Sequence, residues 1–425
     1  MSRPTTRVAA ALSIALVSTL VLGASLVSSA TTGTPLATTL DSPRGLHALP
    51  GGDVLVAEAN TGRILRILPD GTQQVLFQGL PVAPAASTGP LGTAGLSGIT
   101  TDGAGGYRAV VGGSGTGQSS LYSISSGGVI SLQFDLAAYE QANNTDGGQD
   151  GNGNADLSSN PYDVVIDVFG AAHVSDAGAN AIIRHTFGGT GTPFFVFPKI
   201  PNPLFPQQGA ATIAQVPTGM TVGPDDAIYV ATFTASPYPI GEARVYRLKD
   251  GNFDGDAQDN GEWSVFATGL TTATDVAFDA NGTLFVSEYS TNLLTDQPGR
   301  ISKIVNGAPI PVIHLLTTPT GLVITDDGRT IVTEESIGRL ADVSSAPAGG
   351  FASPLSVGVT ITTYNGGPVD QLTAEAQSVG VKSVAVSSGG KLVVLVPGAP
   401  SFVNKAFDNL FPANVPAGTV VLVVR

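Results

Sequence analysis

Short apolar runs alternate with polar turns from about residue 36 to residue 345, and one arrangement of them recurs along this stretch. Each copy has a Gly or Asp near the start of a short apolar strand, a tight polar turn, a second strand that often ends at an acid, and a third strand. Clear copies are Asp275–Phe278 with Leu284–Glu288, and Gly321–Ile324 with Ile331–Glu334. Dipeptides such as Asn281-Gly282 between the runs are typical of antiparallel hairpins.

The spacing of the copies is that of propeller blades. Successive anchor residues lie 53, 65, 56, 56 and 46 positions apart, and a blade takes about 40 to 50 residues, so the longer intervals contain insertions. The pattern therefore predicts a mainly β protein with a six-bladed β-propeller over residues 31–345. The anchors are Gly45, Gly98, Asp163, Gly219, Asp275 and Gly321.

The ring is predicted to close through its N-terminal strand. A fourth strand follows five of the copies, and the remaining strand of this kind, Leu36–Leu40, precedes the first copy. We therefore expect Leu36–Leu40 to pair with the last repeat near Arg339–Val343. Such closure removes an exposed sheet edge and joins the two ends of the ring.

Residues 351–425 follow a small-residue linker, Ser344–Gly350, and have a different pattern. Two helical patterns separate strand-like runs in the order βαββαβ, which predicts a small two-layer α/β C-terminal domain. Ser401 suits the N-cap of the second helix, and Pro397–Asn404 is similar to C-terminal modules on secreted bacterial surface proteins. The strand-like runs are Val357–Thr363, Val381–Val386, Leu392–Val396 and Thr419–Val424.

Residues 1–30 have the features of a signal peptide. Arg3 and Arg7 precede an apolar stretch, Val8–Val27, and small residues end at Ala30, where a signal peptidase cleaves. We expect cleavage and a secreted or cell-envelope protein; the alternative is an uncleaved membrane anchor, since the stretch is nearly long enough to span. The chain has no cysteine, so an exported form depends on its core and on bound ions rather than on disulfides.

Charge restricts the partners. The chain has 33 acidic and 19 basic residues and a formal net charge of −14, so it is unsuited to binding nucleic acid or an anionic membrane. No stretch after residue 30 is apolar for 18 residues, so we expect no integral membrane segment in the mature chain.

Several motifs resemble the secreted ScyD/ScyE family. The resemblance is carried in order by Asp41–Leu46, Ser159–Asp163 and His173–Asn180, within a region of about residues 36–345. It implies a six-bladed propeller related in shape to NHL-repeat and gluconolactonase-like propellers. It implies little about activity, because one fold hosts many functions.

Two acidic, glycine-rich stretches are candidate calcium loops. In the first, oxygen ligands at alternate positions with Gly at the sixth match the first half of an EF-hand loop, although the twelfth position is Gly261 and Glu262 comes one residue later. The second has the same alternation with fewer charges, and either stretch has the alternative of a solvated acidic loop. The predicted ligands are Asp250, Asn252, Asp254, Asp256 and Asp259 in the first stretch, and Asp150, Asn152, Asn154 and Asp156 in the second.

The acids that end second strands have two interpretations. They are either metal ligands or acid–base groups of an enzyme, or each binds turn backbone within its own blade. Repetition favours the structural interpretation, because a catalytic residue is usually needed once. The acids are Glu58, Asp176, Glu288 and Glu334.

These observations favour a non-catalytic binding or scaffold protein with calcium-stabilised loops, and they identify no catalytic residue or organic cofactor. Its partner is an unknown small molecule, glycan or protein at a propeller face. The alternative is a metal-dependent hydrolase or lyase of the gluconolactonase or strictosidine-synthase-like kind. A third interpretation is a surface-layer component retained through residues 351–425.

Overall fold

The computed structural model describes residues 33–82, 95–113, 119–149 and 153–344, and four short strands nearer the C-terminus. The described residues between 33 and 344 form six four-stranded antiparallel sheets, the blades of a propeller. In the described residues no helix is long and apolar enough to cross a membrane. The six-bladed arrangement predicted from the repeats is therefore confirmed.

Each blade is a meander of four strands, which are named in order from the innermost strand to the outermost strand. Blade 1 is β2 (Pro43–Ala48), β3 (Val54–Glu58), β4 (Arg63–Ile67) and β5 (Gln73–Phe77). Blade 2 is β6 (Gly95–Thr101), β7 (Tyr107–Gly112), β8 (Ser120–Ile124) and β9 (Ile130–Asp135). Blade 3 is β10 (Pro161–Ile166), β11 (Ala172–Asp176), β12 (Ala181–His185) and β13 (Gly191–Val196).

The remaining blades follow after a small hairpin, β14 (Ile200–Pro201) with β15 (Thr212–Ile213). Blade 4 is β16 (Gln215–Val222), β17 (Ile228–Thr234), β18 (Ala243–Leu248) and β19 (Trp263–Leu270). Blade 5 is β20 (Ala273–Phe278), β21 (Leu284–Glu288), β22 (Gly299–Val305) and β23 (Ala308–Leu316). Blade 6 is β24 (Pro319–Ile324), β25 (Thr330–Glu334), β26 (Arg339–Asp342) and, as its outermost strand, β1 (Thr34–Ala37).

The innermost strands form a closed ring, because each contacts the innermost strand of the next blade and β24 contacts β2. Apolar side chains are buried between neighbouring blades. Between blades 1 and 2, for example, Leu55 and Ile64 pack with Leu96 and Ala109, all fully buried. A comparable cluster occupies each of the other five blade interfaces in the described residues. Burial of apolar surface between blades is thus what holds the ring together.

The N-terminal strand closes the ring as predicted, with different bounds. Thr34 pairs with Asp342, and Ala37 pairs with Leu340. The predicted bounds Leu36–Leu40 are wrong, because the strand begins at Thr34 and ends at Ala37. It ends early because Thr39 adopts a left-handed conformation with φ 65° and turns the chain. Leu40 then donates its N–H to the Gly338 carbonyl at 2.9 Å and is buried between blades 1 and 6.

Connections divide between two faces of the propeller. We call the face with the connections between blades the upper face, and the face with the turns that follow innermost strands, such as residues 49–53, the lower face. The upper connections include the longest, 136–160 and 197–214; the lower connections are tight turns except for residues 249–262. The two predicted calcium stretches therefore belong to opposite faces.

Three short helical segments lie in the upper connections. Helix α1 (Leu136–Asn143) begins where Asp135, its N-cap, accepts the Ala138 N–H. It ends at Asn144, which adopts a left-handed conformation. Two 3-10 helices, Leu293–Thr295 and Glu335–Ile337, lie after β21 and β25.

Four strands beyond the propeller form a separate sheet in the order β27-β30-β29-β28. Strands β29 and β30 are parallel, and the other pairs are antiparallel. Each strand lies within a run that the sequence predicts as strand. The two predicted helices lie outside the described residues, so the α/β domain stays a prediction. The strands are β27 (Thr362–Thr363), β28 (Ser383–Val386), β29 (Leu392–Leu395) and β30 (Thr419–Leu422).

Candidate functional site

All six innermost strands contain a β-bulge at the same position, near the repeat anchor. In four blades a hydroxyl at the bulge donates to a backbone carbonyl of the next blade, at 2.8 to 3.1 Å. These bonds join blades 2 to 3, 4 to 5, 5 to 6 and 6 to 1. The hydroxyls belong to Ser97, Thr218, Thr274 and Thr320.

Blades 1 and 3 depart from this rule. They carry Arg44 and Tyr162 at the bulge, so long polar side chains replace the short hydroxyls. Arg44 binds Glu335 of blade 6, with Nε 2.9 Å from Oε1, and Ser42 donates to the same oxygen at 2.8 Å. Since bulges redirect side chains, these two blades are where the ring differs chemically from a plain repeat.

Two innermost strands also carry an aspartate at the anchor position. Asp163 Oδ2 accepts the Met220 N–H of blade 4 at 2.8 Å, and Asp275 Oδ2 accepts the Leu322 N–H of blade 6 at 2.7 Å. The other oxygen of each carboxylate accepts the N–H of the following residue, Val164 or Val276, at 2.8 Å. Each aspartate thus links its own blade to the next.

The neighbouring glycines make room for these carboxylates. A Cβ on Gly219 would lie 2.2 Å from Asp275 Oδ1, and a Cβ on Gly98 would lie 2.8 Å from Asp163 Oδ1. Neither glycine has a positive φ, so its role here is close approach rather than backbone freedom. The alternation of Gly and Asp anchors is therefore a packing requirement between blades.

Burial dominates the electrostatics of the aspartate pair. Desolvation raises the pKa of Asp163 to about 7. Desolvation and then the nearby Asp163 raise the pKa of Asp275 well above its usual range. Backbone N–H donors oppose both shifts without cancelling them. Buried carboxyl groups with raised pKa values are a recognised feature of functional sites, although structural networks produce them too.

The charges of Asp163 and Asp275 also affect the pKa of Tyr162. Its hydroxyl is buried without a hydrogen-bond partner among the described residues. Burial first, then Glu335, raises the pKa of Tyr162 well above its ordinary value, and Arg44 opposes the shift. The charges that act on it belong to other blades as well: Glu335 to blade 6, Arg44 to blade 1 and Asp275 to blade 5.

The acids that end second strands bind within their own blades. Glu58 accepts the Asp41 N–H at 3.0 Å and pairs with Arg63, and Glu288 accepts the Thr271 N–H at 2.7 Å and pairs with Arg300. Glu334 pairs with Arg339 at 2.9 Å and accepts the Thr317 N–H, and Asp176 accepts the N–H groups of Asn160, Gly178 and Ala179. These contacts match the structural interpretation.

The first acidic stretch forms a compact lower loop. Asp254, Asp256 and Glu262 each offer a carboxylate oxygen within 4.8 Å of the others, and this is the one such group of three acids or histidines in the described residues. Three carboxylates at this spacing are suited to a hard cation such as calcium. Glu262, the late acid of the sequence pattern, thus replaces Gly261 at the closing position.

The other predicted ligands of this loop arrange its backbone. Asp250 accepts the N–H groups of Phe253 and Gly255, at 2.5 and 3.0 Å. The Asn252 side-chain amide donates to Asp254 and to Asp259, at 2.9 and 3.0 Å. The structure therefore brings two of the five predicted ligands together with Glu262, and leaves Asp250, Asn252 and Asp259 as supporting groups.

The second acidic stretch is described only in part. Asp150 and Asn152 lie outside the described residues. Asp156 accepts the N–H and the hydroxyl of Ser158, at 3.2 and 2.7 Å. Asn154 lies in the described part of the loop, and neither it nor Asp156 belongs to a described group of three carboxylates.

The first acidic loop also covers a neighbouring blade. Ala257 is fully buried and donates its N–H to the Phe194 carbonyl of β13 at 2.8 Å, and the Gln258 side chain accepts the Val196 N–H. Because β13 is the outermost strand of blade 3, the loop covers an edge that would otherwise be open. Order in this loop is therefore coupled to the packing of blades 3 and 4.

Exposed aromatic side chains lie on the same lower face. Phe253, within the acidic loop, and Phe169, in a turn of blade 3, are each 73 % exposed, with ring centroids 6.1 Å apart. Phe187, in another lower turn of blade 3, is also exposed. Phe253 has a φ of 62°, which is unfavourable for a bulky residue. Exposed apolar clusters of this kind commonly mark interaction sites.

A separate open groove of about 740 Å³ lies at the outer edges of blades 1 and 2. Its lining includes Val75, Phe77, Tyr107 and the turn residues Gly127 and Gly128. The groove contains no carboxylate or histidine. It is therefore a poorer candidate for chemistry than the channel or the acidic loop.

No family model matches the chain, and no curated protein matches it. Among solved structures, it is similar to a catalytically inactive virginiamycin B lyase from Staphylococcus aureus with quinupristin, at 16% identity over 72% of this chain and 96% of that one, TM-score 0.44. It is also similar to a glucose dehydrogenase, at 15% identity over 73% of this chain and 99% of that one, with a TM-score of 0.47. A candidate gluconolactonase is similar at 14% identity over 73% of this chain and 91% of that one, with a TM-score of 0.46. The six-bladed arrangement stands on the strand pairing of this chain itself.

Proposed function

We propose that this chain is an exported, non-catalytic propeller that binds a partner through its lower face, with calcium held in the loop 250–262. The observation that carries the proposal is the exposed pair Phe169 and Phe253, presented by a loop whose carboxylates converge. Export through a cleaved signal peptide and the likeness to the ScyD/ScyE family are parts of the same proposal. N-terminal sequencing of the mature protein tests cleavage after Ala30.

The inner carboxylates are bonded within the propeller itself, and this favours the non-catalytic candidate. Both oxygens of Asp163 and of Asp275 already accept backbone N–H groups. The carboxylates that end second strands are likewise held by turn backbone and, in three blades, by arginine. In the described residues, therefore, the hydrogen bonds and ion pairs of the inner acids stabilise the propeller, and a structural role explains these acids.

Calcium at Asp254, Asp256 and Glu262 would fix the loop that presents Phe253. Without a cation, carboxylates within 4.8 Å of one another repel, which favours opening of the loop. Since Ala257 and Gln258 cover β13, calcium binding would stabilise blades 3 and 4 together with the aromatic pair.

Calcium binding is tested by thermal unfolding of the full mature chain with calcium and with a chelator. We expect calcium to raise the Tm, since a ligand at 100 times its Kd adds about 2.7 kcal/mol of stability. The double variant D254N/D256N should lose this response, whereas Asp326→Asn, an exposed lower-turn carboxylate, should keep it. An unfolding curve that the chelator leaves unchanged would remove calcium from the proposal.

The binding surface is tested separately by sedimentation with insoluble peptidoglycan and with cellulose, in calcium. The double variant F169S/F253S should lose retention that the wild type shows, because polar side chains remove the apolar contact. Val129→Ser, at an exposed turn of blade 2, is the matched control. Equal retention of wild type and the double variant would exclude the aromatic pair as the contact.

The second candidate is a metal-dependent hydrolase or lyase acting in the channel. The raised pKa values of Asp163 and Asp275 favour it, because a carboxyl that titrates near neutrality suits acid–base catalysis. A screen of lactone hydrolysis with added divalent metals distinguishes the two candidates. Turnover that Asp163→Asn abolishes, with the fold retained, would establish the enzyme and displace the binding protein.

A further inference from the structure

Arg44 uses less of its guanidinium for internal bonds than Arg63 and Arg300 do. Each of those two arginines places Nε and a terminal nitrogen against one glutamate, at 2.6 to 2.8 Å. Arg44 binds Glu335 through Nε alone, at 2.9 Å. Its terminal nitrogens, Nη1 and Nη2, donate no hydrogen bond within the described residues, although 4 % of the side chain is exposed. Neither nitrogen is fully enclosed, so a fixed guanidinium keeps donors for a ligand.

Glu335 keeps one carboxylate oxygen for a ligand in the same way. Its Oε1 accepts both the Arg44 Nε–H, at 2.9 Å, and the Ser42 hydroxyl, at 2.8 Å. Oε2 accepts no hydrogen bond from the described residues and is not fully enclosed. The ion pair therefore offers a donor and an acceptor side by side, and its own charges are balanced.

The pair lies at the upper end of the ring of innermost strands. Arg44 is on β2, at the bulge where four other blades carry a hydroxyl that bonds the next blade. Its side chain instead reaches back to blade 6, where Glu335 begins a 3-10 helix of an upper connection. Ser42 directly precedes β2. A repeat position that replaces a structural hydroxyl by a buried and incompletely bonded guanidinium calls for a functional explanation.

We propose that the Arg44–Glu335 pair binds neighbouring hydroxyl groups of an uncharged sugar at the upper face. A hydroxyl both accepts and donates, so one sugar hydroxyl accepts from a terminal nitrogen of Arg44 while the next donates to Glu335 Oε2. Hydrogen bonds with an ionised partner are about twice as strong as neutral ones. A carboxylate ligand fits less well, because it would face Oε2 and because the chain has a net charge of −14.

An aromatic side chain near the pair suits the same ligand. Tyr289 is half-buried in an upper connection of blade 5. Burial first, and then the Glu335 charge, raise the pKa of its hydroxyl to about 12, and Arg44 opposes the shift. Small-molecule sites commonly combine an aromatic wall with a few polar groups. This site is on the face opposite to Phe169 and Phe253, so it is separate from the contact proposed there.

Saturation-transfer NMR of the full mature chain tests the site, with glucose, galactose and mannose as separate probes. We expect transfer to at least one of these hexoses, and Arg44→Ala should weaken its binding about tenfold. Arg329→Ala, which removes a lower-face arginine paired with Asp327, should bind as the wild type does. Transfer to none of the three hexoses, or equal binding by wild type and Arg44→Ala, would overturn the proposal.

Glu335→Gln keeps the test independent of any loss of stability in Arg44→Ala. Its amide oxygen can still accept from Arg44 and Ser42, whereas its amide nitrogen replaces Oε2 and the negative charge is lost. Hexose binding should weaken about tenfold, and glucuronate, a hexose derivative with a carboxylate, should bind more tightly than it does to the wild type. Equal changes for both sugars would indicate a structural role and overturn the proposal. Wild-type preference for glucuronate over glucose would also overturn it, because the site would then be an anion site.

Discussion

Two sets of buried carboxylates face different neighbours in this propeller. Glu58, Glu288 and Glu334 lie at the ends of second strands, and each has an arginine directly across the hairpin. Asp163 and Asp275 lie on innermost strands, and each accepts backbone N–H groups from its own strand and from another blade. The repeated acids are thus neutralised by arginine within one blade, whereas the two aspartates join different blades through backbone N–H donors. Because the glutamates recur at the same position in several blades, we interpret them as structural groups. Asp163 and Asp275 depart from the repeat, so they are the better candidates for a functional role.

The largest expected effect is at the first set. Glu288 accepts Nε and Nη2 of Arg300 at 2.6 and 2.8 Å, the Ser302 hydroxyl at 2.8 Å and the Thr271 N–H at 2.7 Å. Glu288→Ala leaves these donors unpaired, so we expect a loss of about 3 to 5 kcal/mol in the free energy of unfolding, measured by denaturant titration.

The matched control for this prediction is Glu242→Ala. Glu242 lies 3.9 Å from Arg244, and both side chains are partly exposed. Such pairs contribute about 0 to 1 kcal/mol. If Glu288→Ala lowers the free energy of unfolding no more than this control does, the second-strand acids are not structural groups. The interpretation of these acids as metal ligands or acid–base groups would then be favoured.

A smaller effect is expected where blade 4 meets the aspartate pair. Gly219→Ala places a Cβ 2.2 Å from Asp275 Oδ1 and 2.7 Å from Asp275 Cα, so the strands must shift. We expect a loss of about 1 to 3 kcal/mol, as for overpacked cores. Gly127→Ala is the control, because the nearest atom to its Cβ is Ser125 Oγ at 3.8 Å. Equal stability of the two variants would show that blades 4 and 5 do not pack this closely at the axis.

The same contrast separates what the sequence could predict from what it could not. Blade number and ring closure follow from local signals: hairpin dipeptides, apolar alternation and a surplus strand at one end. The aspartate pair does not, because Asp163 and Asp275 occupy the anchor position and resemble Gly219 there as turn residues. Their hydrogen bonds to other blades form only because the closed ring places strands that are distant in sequence next to each other. Likewise, only the folded loop shows that Glu262 joins Asp254 and Asp256.

Local structure also changed the bounds of elements that the pattern predicted. The left-handed conformation of Thr39 ends β1 before Leu40. Asp135 ends β9 and caps helix α1, which the strand pattern of the sequence does not predict. Both depend on one residue's backbone or side-chain bond, which apolar periodicity does not record.

The smallest expected effect concerns Tyr162, and its sign is informative. The Tyr162 hydroxyl has no partner among the described residues, so Tyr162→Phe removes an unsatisfied polar group and should leave stability unchanged or raise it by up to about 1 kcal/mol. Tyr229→Phe is the control, because the Tyr229 hydroxyl donates to Asp225 Oδ2 at 3.4 Å and its loss should cost about 0.5 to 1 kcal/mol. Denaturant unfolding of both variants at pH 6 measures the difference. A loss in Tyr162→Phe as large as in Tyr229→Phe would mean that the Tyr162 hydroxyl is satisfied in solution, and a water bound to it would then be part of the site.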